Sequence, residues 1–251
     1  MSLTIHQFPC LQDNYAFLCK DTLTGKVACI DSPDAQAILA EASKIGWGID
    51  YIFNTHWHPD HAGGNATIVA ATGAKIIGPE EVRKISEIDQ VVVPGDMVAL
   101  GATSFNVIDV GGHTLGHVAF HAPDAGVAFV GDALFPLGCG RIFEGTAEQM
   151  WNGLQRLAQL PPDTEIYAAH EYARGNAGFA MSIDASAATR ARAQLLLKMV
   201  DNGVPTVPCL LKDELATNPF LRAPFLKPEY GPARAVEAFA AVRSAKDNFK
   251  G

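Results

Sequence analysis

Long apolar runs are missing from this 251-residue sequence. No stretch of about eighteen apolar residues occurs, so nothing in it reads as a membrane-spanning helix. Close cysteine pairs are missing too. Cys10, Cys19, Cys29, Cys139 and Cys209 are odd in number and scattered, with no Cys-x-x-Cys among them. That excludes a disulfide framework and reads as reduced thiols in a cytosol-like compartment. Met1 to Pro9 holds no basic stretch followed by an apolar core, so no secretory leader is expected and the expected location is cytoplasmic. Lys and Arg form no cluster, and the formal net charge is -8, which makes nucleic acid a poor partner. A Gly-x-Ser-x-Gly elbow is also absent, which argues against a serine-nucleophile hydrolase. What the chain does have is apolar mass. It is 48% hydrophobic and 18% charged, enough to bury a sizeable core in one large domain or in one domain with an attachment.

Short strands alternate with helices over the first two-thirds. Leu3 to Phe8, Asn14 to Cys19, Val27 to Ile30, Asp50 to Asn54, Lys75 to Ile77, Gln90 to Val93, Phe105 to Val110, Val118 to His121, Val127 to Val130 and Glu165 to Ala168 read as strands. Asp34 to Ile45 has helical spacing, and Ala147 to Leu160 reads as a helix closed by Pro161 and Pro162. After Glu171 the character changes. Ile183 to Asn202 and Pro232 to Phe249 are helical patterns on either side of a proline-rich stretch with little periodicity. The expected organisation is therefore an α/β domain over residues 1–172 and an α-helical segment over residues 173–251.

Histidine carries the chemistry. Thr55-His56-Trp57-His58-Pro59-Asp60-His61 follows a strand directly, so His56 and His58 can turn toward one point and Asp60-His61 toward a second. Neutral imidazoles and a carboxylate suit zinc, manganese and iron. Three more strand ends add to this: Gly112-His113-Thr114-Leu115-Gly116-His117, Gly131-Asp132 and Ala169-His170-Glu171. A lone His or Asp at a strand end is more often a hydrogen-bonding or turn residue. Four such ends in one chain point to a metal site instead.

His-x-His-x-Asp-His, Gly-His-Thr-x-Gly-His, Gly-Asp and a late His together resemble the metallo-β-lactamase superfamily. The resemblance implies an αββα sandwich with metals at one edge. It implies one metal on His56, His58 and His113, a second on Asp60, His61 and His170, and Asp132 bridging them. Zinc is the first expectation, with iron or manganese also accepted. His117 matches a position that is not a ligand; His6 and His121 match nothing and read as structural. Narrower motifs are similar to the glyoxalase II, or hydroxyacylglutathione hydrolase, family: Leu134 to Gly145, His170-Glu171-Tyr172 with Asn176, Thr217 to Arg222, and Val242 to Lys250.

That family implies glutathione contacts from Tyr172, Arg243 and Lys246, from Arg141 where many members have lysine, and from Phe143 where many have tyrosine. Asp60 and Asp132 take the catalytic role. Two such ions lower the pKa of water toward roughly 7, giving hydroxide for attack on a thioester carbonyl. The helical spacing of Phe239, Arg243 and Lys246 independently suggests cations on an inward stripe; helix C-terminal cations favoured by the dipole are the plain alternative. Cys139, with no base in its own segment, reads as a packed turn residue and not a nucleophile. The rival reading is an enzyme resembling a one-iron persulfide dioxygenase, which also handles a glutathione derivative. The expected partner is a small glutathione thioester, with no nucleic acid or membrane, on a monomer or weak oligomer.

Overall fold

The computed structural model describes residues 3–250. Residues 1, 2 and 251, at the outer ends of the two expected segments, lie outside the described residues. Strands Leu3–Cys10, Asn14–Asp21, Val27–Ile30, Tyr51–Phe53, Lys75–Gly78 and Gln90–Val91 lie side by side in that order as a six-stranded sheet. A second six-stranded sheet runs Cys209–Leu210, Glu165–Ala168, Val127–Gly131, Val118–Ala122, Thr103–Asp109 and Met97–Leu100. Strand residues alternate between faces. Phe17 and Cys19 join the core between the sheets, whereas Ala16 and Leu18 belong to the outer layer with Ile38, Ala42 and Ile68. Aromatic rings make the seam: Phe53 meets Phe105 edge-on at 5.7 Å, and Phe17 meets Tyr167 at 5.6 Å. Burying one such ring contributes about 1.5–3 kcal/mol.

Helices Ala35–Ile45 and Asn65–Thr72 cover the first sheet, and Ala147–Ala158 packs on Thr103–Asp109 of the second. This is the expected αββα arrangement. Their ends are set locally. Asp34 accepts the amides of Gln36 and Ala37, and Gly46 closes the same helix at φ 71°. Thr146 and Gln149 form a reciprocal capping box at the start of Ala147–Ala158.

Val27–Ile30, Tyr51–Phe53 and Lys75–Gly78 are parallel, as are Val127–Gly131 and Glu165–Ala168. Parallel neighbours release their following loops at the same edge. The histidine-rich loop, Asp132 and His170 therefore all emerge where strands end.

The C-terminal third departs from expectation in detail. The helix expected over Ile183 to Asn202 runs Ala187–Asp201, and a helix with no expectation, Ala173–Ile183, precedes it. Asp184 breaks them apart. Its carboxylate accepts the Ser186 amide and the Thr189 hydroxyl, and Ser186 caps the second helix. Such side-chain bonds compete with a continuous helix. The last helix runs Ala235–Asp247, because Pro232–Arg234 forms a tighter turn first. The strand Met97–Leu100 and the helix Asn65–Thr72 had no expectation in the sequence reading, and the aperiodic stretch holds the helix Leu211–Thr217. Among the described residues no helix is long and apolar enough to cross a membrane.

Candidate metal centre

Three sets of donor atoms converge at the shared edge of the sheets. His56, His58 and His113 form one; Asp60, His61 and His170 another; His56, His61 and Asp132 a third, with the atoms of each set within 4.8 Å of one another. His58 Nδ1 lies 3.1 Å from His56 Nε2 and 3.0 Å from His113 Nε2. Asp132 stands between the two sides. Its Oδ2 is 3.2 Å from His113 Nε2, and its Oδ1 is 3.4 Å from His61 Nε2 and 3.3 Å from His170 Nε2. Asp60 Oδ2 faces His170 Nε2 at 3.4 Å and His61 Nε2 at 3.6 Å.

The imidazoles are held from behind. Asp31 Oδ2 meets His61 Nδ1 at 2.8 Å, Asp13 Oδ1 meets His170 Nδ1 at 2.9 Å, the Arg141 carbonyl lies 2.9 Å from His113 Nδ1, and Thr55 Oγ1 lies 3.0 Å from His56 Nδ1. Each contact directs Nε2 inward, the arrangement typical of metal-binding histidines. Asp31 is itself fixed by the amide and hydroxyl of Thr55. Behind the loop, Asn54 donates to the His61 carbonyl and accepts from Asn65, which accepts from Ser32.

His117 is not turned toward the cluster as a donor. It stacks on His56 at 4.5 Å, and its Nε2 accepts the Asp132 amide at 3.0 Å. Gly131 just before Asp132 has φ 49°, and a Cβ there would press within 2.8 Å of the His117 ring. His6 pairs with Glu41 at 3.2 Å, and His121 is buried away from the cluster.

The electrostatics fit divalent cations. Burial, joined by the neighbouring His61, His117 and His113, holds His56 well below its ordinary value, so it is a neutral donor. Burial also opposes charge on His170, but Asp132, Asp60 and Asp13 outweigh it and push the group up to about 11. His61 is raised likewise: burial opposes, and Asp132 and Asp31 prevail. Against their own desolvation, Asp132 and Asp60 are held far below the carboxylate range by His61 and His170. Such proton affinity reports a negative potential that metal cations can satisfy. Asp132 Oδ1 is buried and, despite its close imidazoles, has no hydrogen bond of proper geometry. An orphaned carboxylate oxygen among inward-facing ring nitrogens fits a metal-binding site.

The cluster opens on a cleft of about 540 Å³, whose lining includes His113, Asp132 and Phe143 together with the cations Arg141, Arg243 and Lys246. Tyr172 lies over His170, ring on ring at 4.8 Å, and Phe143 sits 5.2 Å from the His113 ring, largely exposed. Arg243 is buried. It donates to the Cys139 carbonyl at 3.0 Å and pairs with Asp247 at 2.7 Å. Lys246 Nζ donates to the Gly175 carbonyl at 2.6 Å. Neither Lys246 nor Arg141 has an ion pair among the described residues. Burial, with repulsion from Arg243 and Arg141, pulls Lys246 down to about 8. Cys139 lines the cleft, but burial pushes its thiol up to about 11 despite Arg243. A thiol so rarely ionised is a poor nucleophile.

A fold and a site of this kind define a class, and the chain belongs to it: the family model described as Metallo-beta-lactamase superfamily matches residues 29–170. A second, described as Hydroxyacylglutathione hydrolase C-terminus, matches residues 171–249. The hydroxyacylglutathione hydrolase of Erythrobacter litoralis is 54% identical over 98% of this chain and 100% of its own length. That of Hyphomonas neptunium is 52% identical over 98% of each. Within the superfamily the chain belongs to the hydroxyacylglutathione hydrolase family. Among solved structures, ETHE1 from Myxococcus xanthus aligns with a TM-score of 0.72 at 23% identity, over 98% of this chain and 92% of that one. At that identity the likeness shows the fold alone.

Sequence reasoning singled out every residue of the three donor sets. It missed Asp13, Asp31, Asn54 and Asn65. Asp31 had one visible signal, its place at the end of an apolar run; Asp13 lies 157 residues from His170, and Asn54 and Asn65, 7 and 11 residues from the groups they donate to, match no ligand pattern.

Proposed function

We infer that this enzyme hydrolyses S-2-hydroxyacylglutathione thioesters, S-lactoylglutathione first, to the 2-hydroxy acid and glutathione, the hydrolytic step of methylglyoxal detoxification. The observation carrying this is the cleft that joins the donor cluster to three cations, two of which have no carboxylate partner among the described residues. On a chain of net charge -8, that local surplus is the feature suited to an anionic glutathione moiety.

His56, His58 and His113 would hold one divalent ion, and Asp60, His61 and His170 a second, with Asp132 shared. Zinc is the ion we assign, iron or manganese being compatible with the same donors. Such ions, when bound, act as Lewis acids and lower the pKa of water toward roughly 7. The chain's own residues do the rest. Arg243 and Lys246 bind the glycyl carboxylate, Arg141 adds charge along the way, and the Tyr172 hydroxyl donates to the peptide portion. Phe143 gives an apolar wall and no hydroxyl. Asp132 fixes the spacing of the two donor sets. Asp60, partly exposed beside His61 and His170, is the carboxylate we assign to the attacking water's proton. A thiolate leaves without a strong general acid, because an ordinary thiol has a pKa near roughly 8.5. We assign residues 1–172 to the catalytic domain and 173–251 to a helical substrate-binding domain, on a cytoplasmic monomer or weak oligomer.

Purified protein assayed on S-lactoylglutathione, with metal content measured on the same sample, tests this. The expected result is turnover with two metals per chain, and loss of both in Asp132→Ala. Full activity with one metal per chain or none would overturn the two-metal reading, and no turnover by the metal-loaded protein would overturn the substrate.

A further inference from the structure

The hairpin Leu134–Phe135 and Gly138–Cys139 follows Asp132 in the chain and lines the cleft through Phe135 and Cys139. At one end Asp132 precedes it, and the Gly140 amide donates to the Ala133 carbonyl. At the same open end, the carbonyls of Cys139 and Gly140 accept from Arg243 at 3.0 and 3.4 Å. The next carbonyl, of Arg141, orients His113. The open end of the hairpin therefore ties Asp132 to Arg243 through short backbone links, and the turn at Pro136 and Leu137 closes its opposite end.

Its own conformation is not self-supporting. Leu137, at the turn, has φ 54° and is fully buried. A left-handed backbone is unusual for a non-glycine residue with a branched side chain, and it persists only where surroundings impose it. Here the imposing group comes from another element. Glu214, on the helix Leu211–Thr217, is 0% exposed, and its Oε2 accepts the Leu137 amide at 2.7 Å. The same oxygen accepts from Asn218 Nδ2 at 2.9 Å, and that amide group also donates to the carbonyls of Phe135 at 3.1 Å and Gly138 at 2.9 Å. Arg192 stands 3.5 Å from the other carboxylate oxygen. A buried carboxylate is costly to keep unless it is paired and hydrogen-bonded. Glu214 spends Oε2 on the Leu137 amide of the turn and on Asn218, while Oε1 faces Arg192 without a hydrogen bond of proper geometry.

We propose that Glu214, with Asn218, is a positioning residue: it clamps the 134–139 hairpin so that Arg243 is held at the right reach from Asp132. It touches neither substrate nor metal and acts through the hairpin. The kinetic part of this inference rests on the glutathione thioester reading; the clamp itself does not.

The test separates the two. Hydrogen exchange on the intact, metal-loaded protein follows the peptide spanning residues 134–141 against the core strand Glu165–Ala168. Glu214→Gln keeps an oxygen for the Leu137 amide, and Glu214→Leu removes it. The expected result for Glu214→Leu is exchange at least tenfold faster in the hairpin, with the core strand unchanged. KM for S-lactoylglutathione should rise roughly tenfold, with kcat and metal content near wild type. Glu214→Gln should stay within about threefold on every readout. Should Glu214→Leu fail to fold, Asn218→Ala, which frees the Phe135 and Gly138 carbonyls, is expected to give the same local pattern. Uniform loosening of hairpin and core, or an unchanged hairpin in the folded variant, would overturn the proposal. A failed thioester reading would show differently, as wild type inactive on the substrate while the hairpin still loosens in Glu214→Leu.

Discussion

His56, His61, His113 and His170 are each no more than 3% exposed, and each is gripped through Nδ1 by a carboxylate, a hydroxyl or a carbonyl. On the cation side of the same cleft, Arg141 is exposed, Lys246 is half-buried and among the described residues has one hydrogen bond, to a carbonyl, and Arg243 is pinned by Cys139 and Asp247. The difference follows from what each end binds. Metal coordination is directional, and a ring turned by a few tens of degrees is no longer a ligand. A carboxylate is attracted by charge over several ångströms and tolerates flexible cations. One end of the cleft therefore depends on distant orienting partners, and the other on how many charges sit near one place.

A substitution behind the metal end should have the largest effect. Asp31→Asn keeps the shape and the left-handed backbone, since asparagine tolerates φ 55°. It turns the oxygen that faces His61 Nδ1 at 2.8 Å into a donor against a donor, or forces the amide to flip away from Thr55. Metal affinity should fall by roughly 100-fold, the upper end for loss of such a partner. Competition with a chelator measures it. Unchanged affinity would erase the contrast drawn between the two ends.

The charge end should lose less, and differently. Arg243→Ala removes a cation offered to the substrate carboxylate, at a cost of about 2 kcal/mol, or roughly 30-fold in KM. If that contact holds ground and transition states alike, kcat stays. Metal content should also stay at the wild-type level. A small thioester without the glycyl carboxylate should be hydrolysed slowly by both proteins and equally well by each. Equal losses on both substrates would mean that Arg243 serves the hairpin it donates to and not the substrate.

These two ends were not equally legible in the sequence. The donor residues stood out because each lies within a few residues of an apolar strand, so strand pattern and ligand chemistry appear together, as in Val127 to Asp132. The partners that orient them did not. Asp13 is 157 residues from His170, and Glu214 is 77 from the turn it clamps; no local pattern carries such pairs. The helix Ala173–Ile183 was missed, and the next starts at Ala187 and not at Ile183, because side-chain bonds of Asp184 with Ser186 and Thr189 decide where the two part. At the cation end, the spacing of Phe239, Arg243 and Lys246 gave a shared face. It did not distinguish a buried Arg243 tied to Asp247 from a Lys246 that has no ion pair among the described residues.

That last distinction gives the smallest expected effect. Burial, aided by Arg243 and Arg141, pulls Lys246 to about 8, against an ordinary value of 10.5. The free enzyme therefore begins to lose this charge as pH rises through about 8. Since kcat/KM reports groups in the free enzyme, its value for S-lactoylglutathione should fall by roughly fivefold above that point, a loss suited to one partly exposed ion pair. Stability should move in the opposite direction. Between about 8 and 10.5 the unfolded chain binds the Lys246 proton and the folded chain does not, so this group's contribution makes the fold more stable as pH rises through that window. Activity declining while this residue favours folding is a signature that general alkaline denaturation cannot produce. Lys246→Arg, charged throughout, should flatten the decline. If wild type and Lys246→Arg fall together above pH 8, another group controls the limb, and the cation end would have to be rebuilt around Arg243 and Arg141 alone.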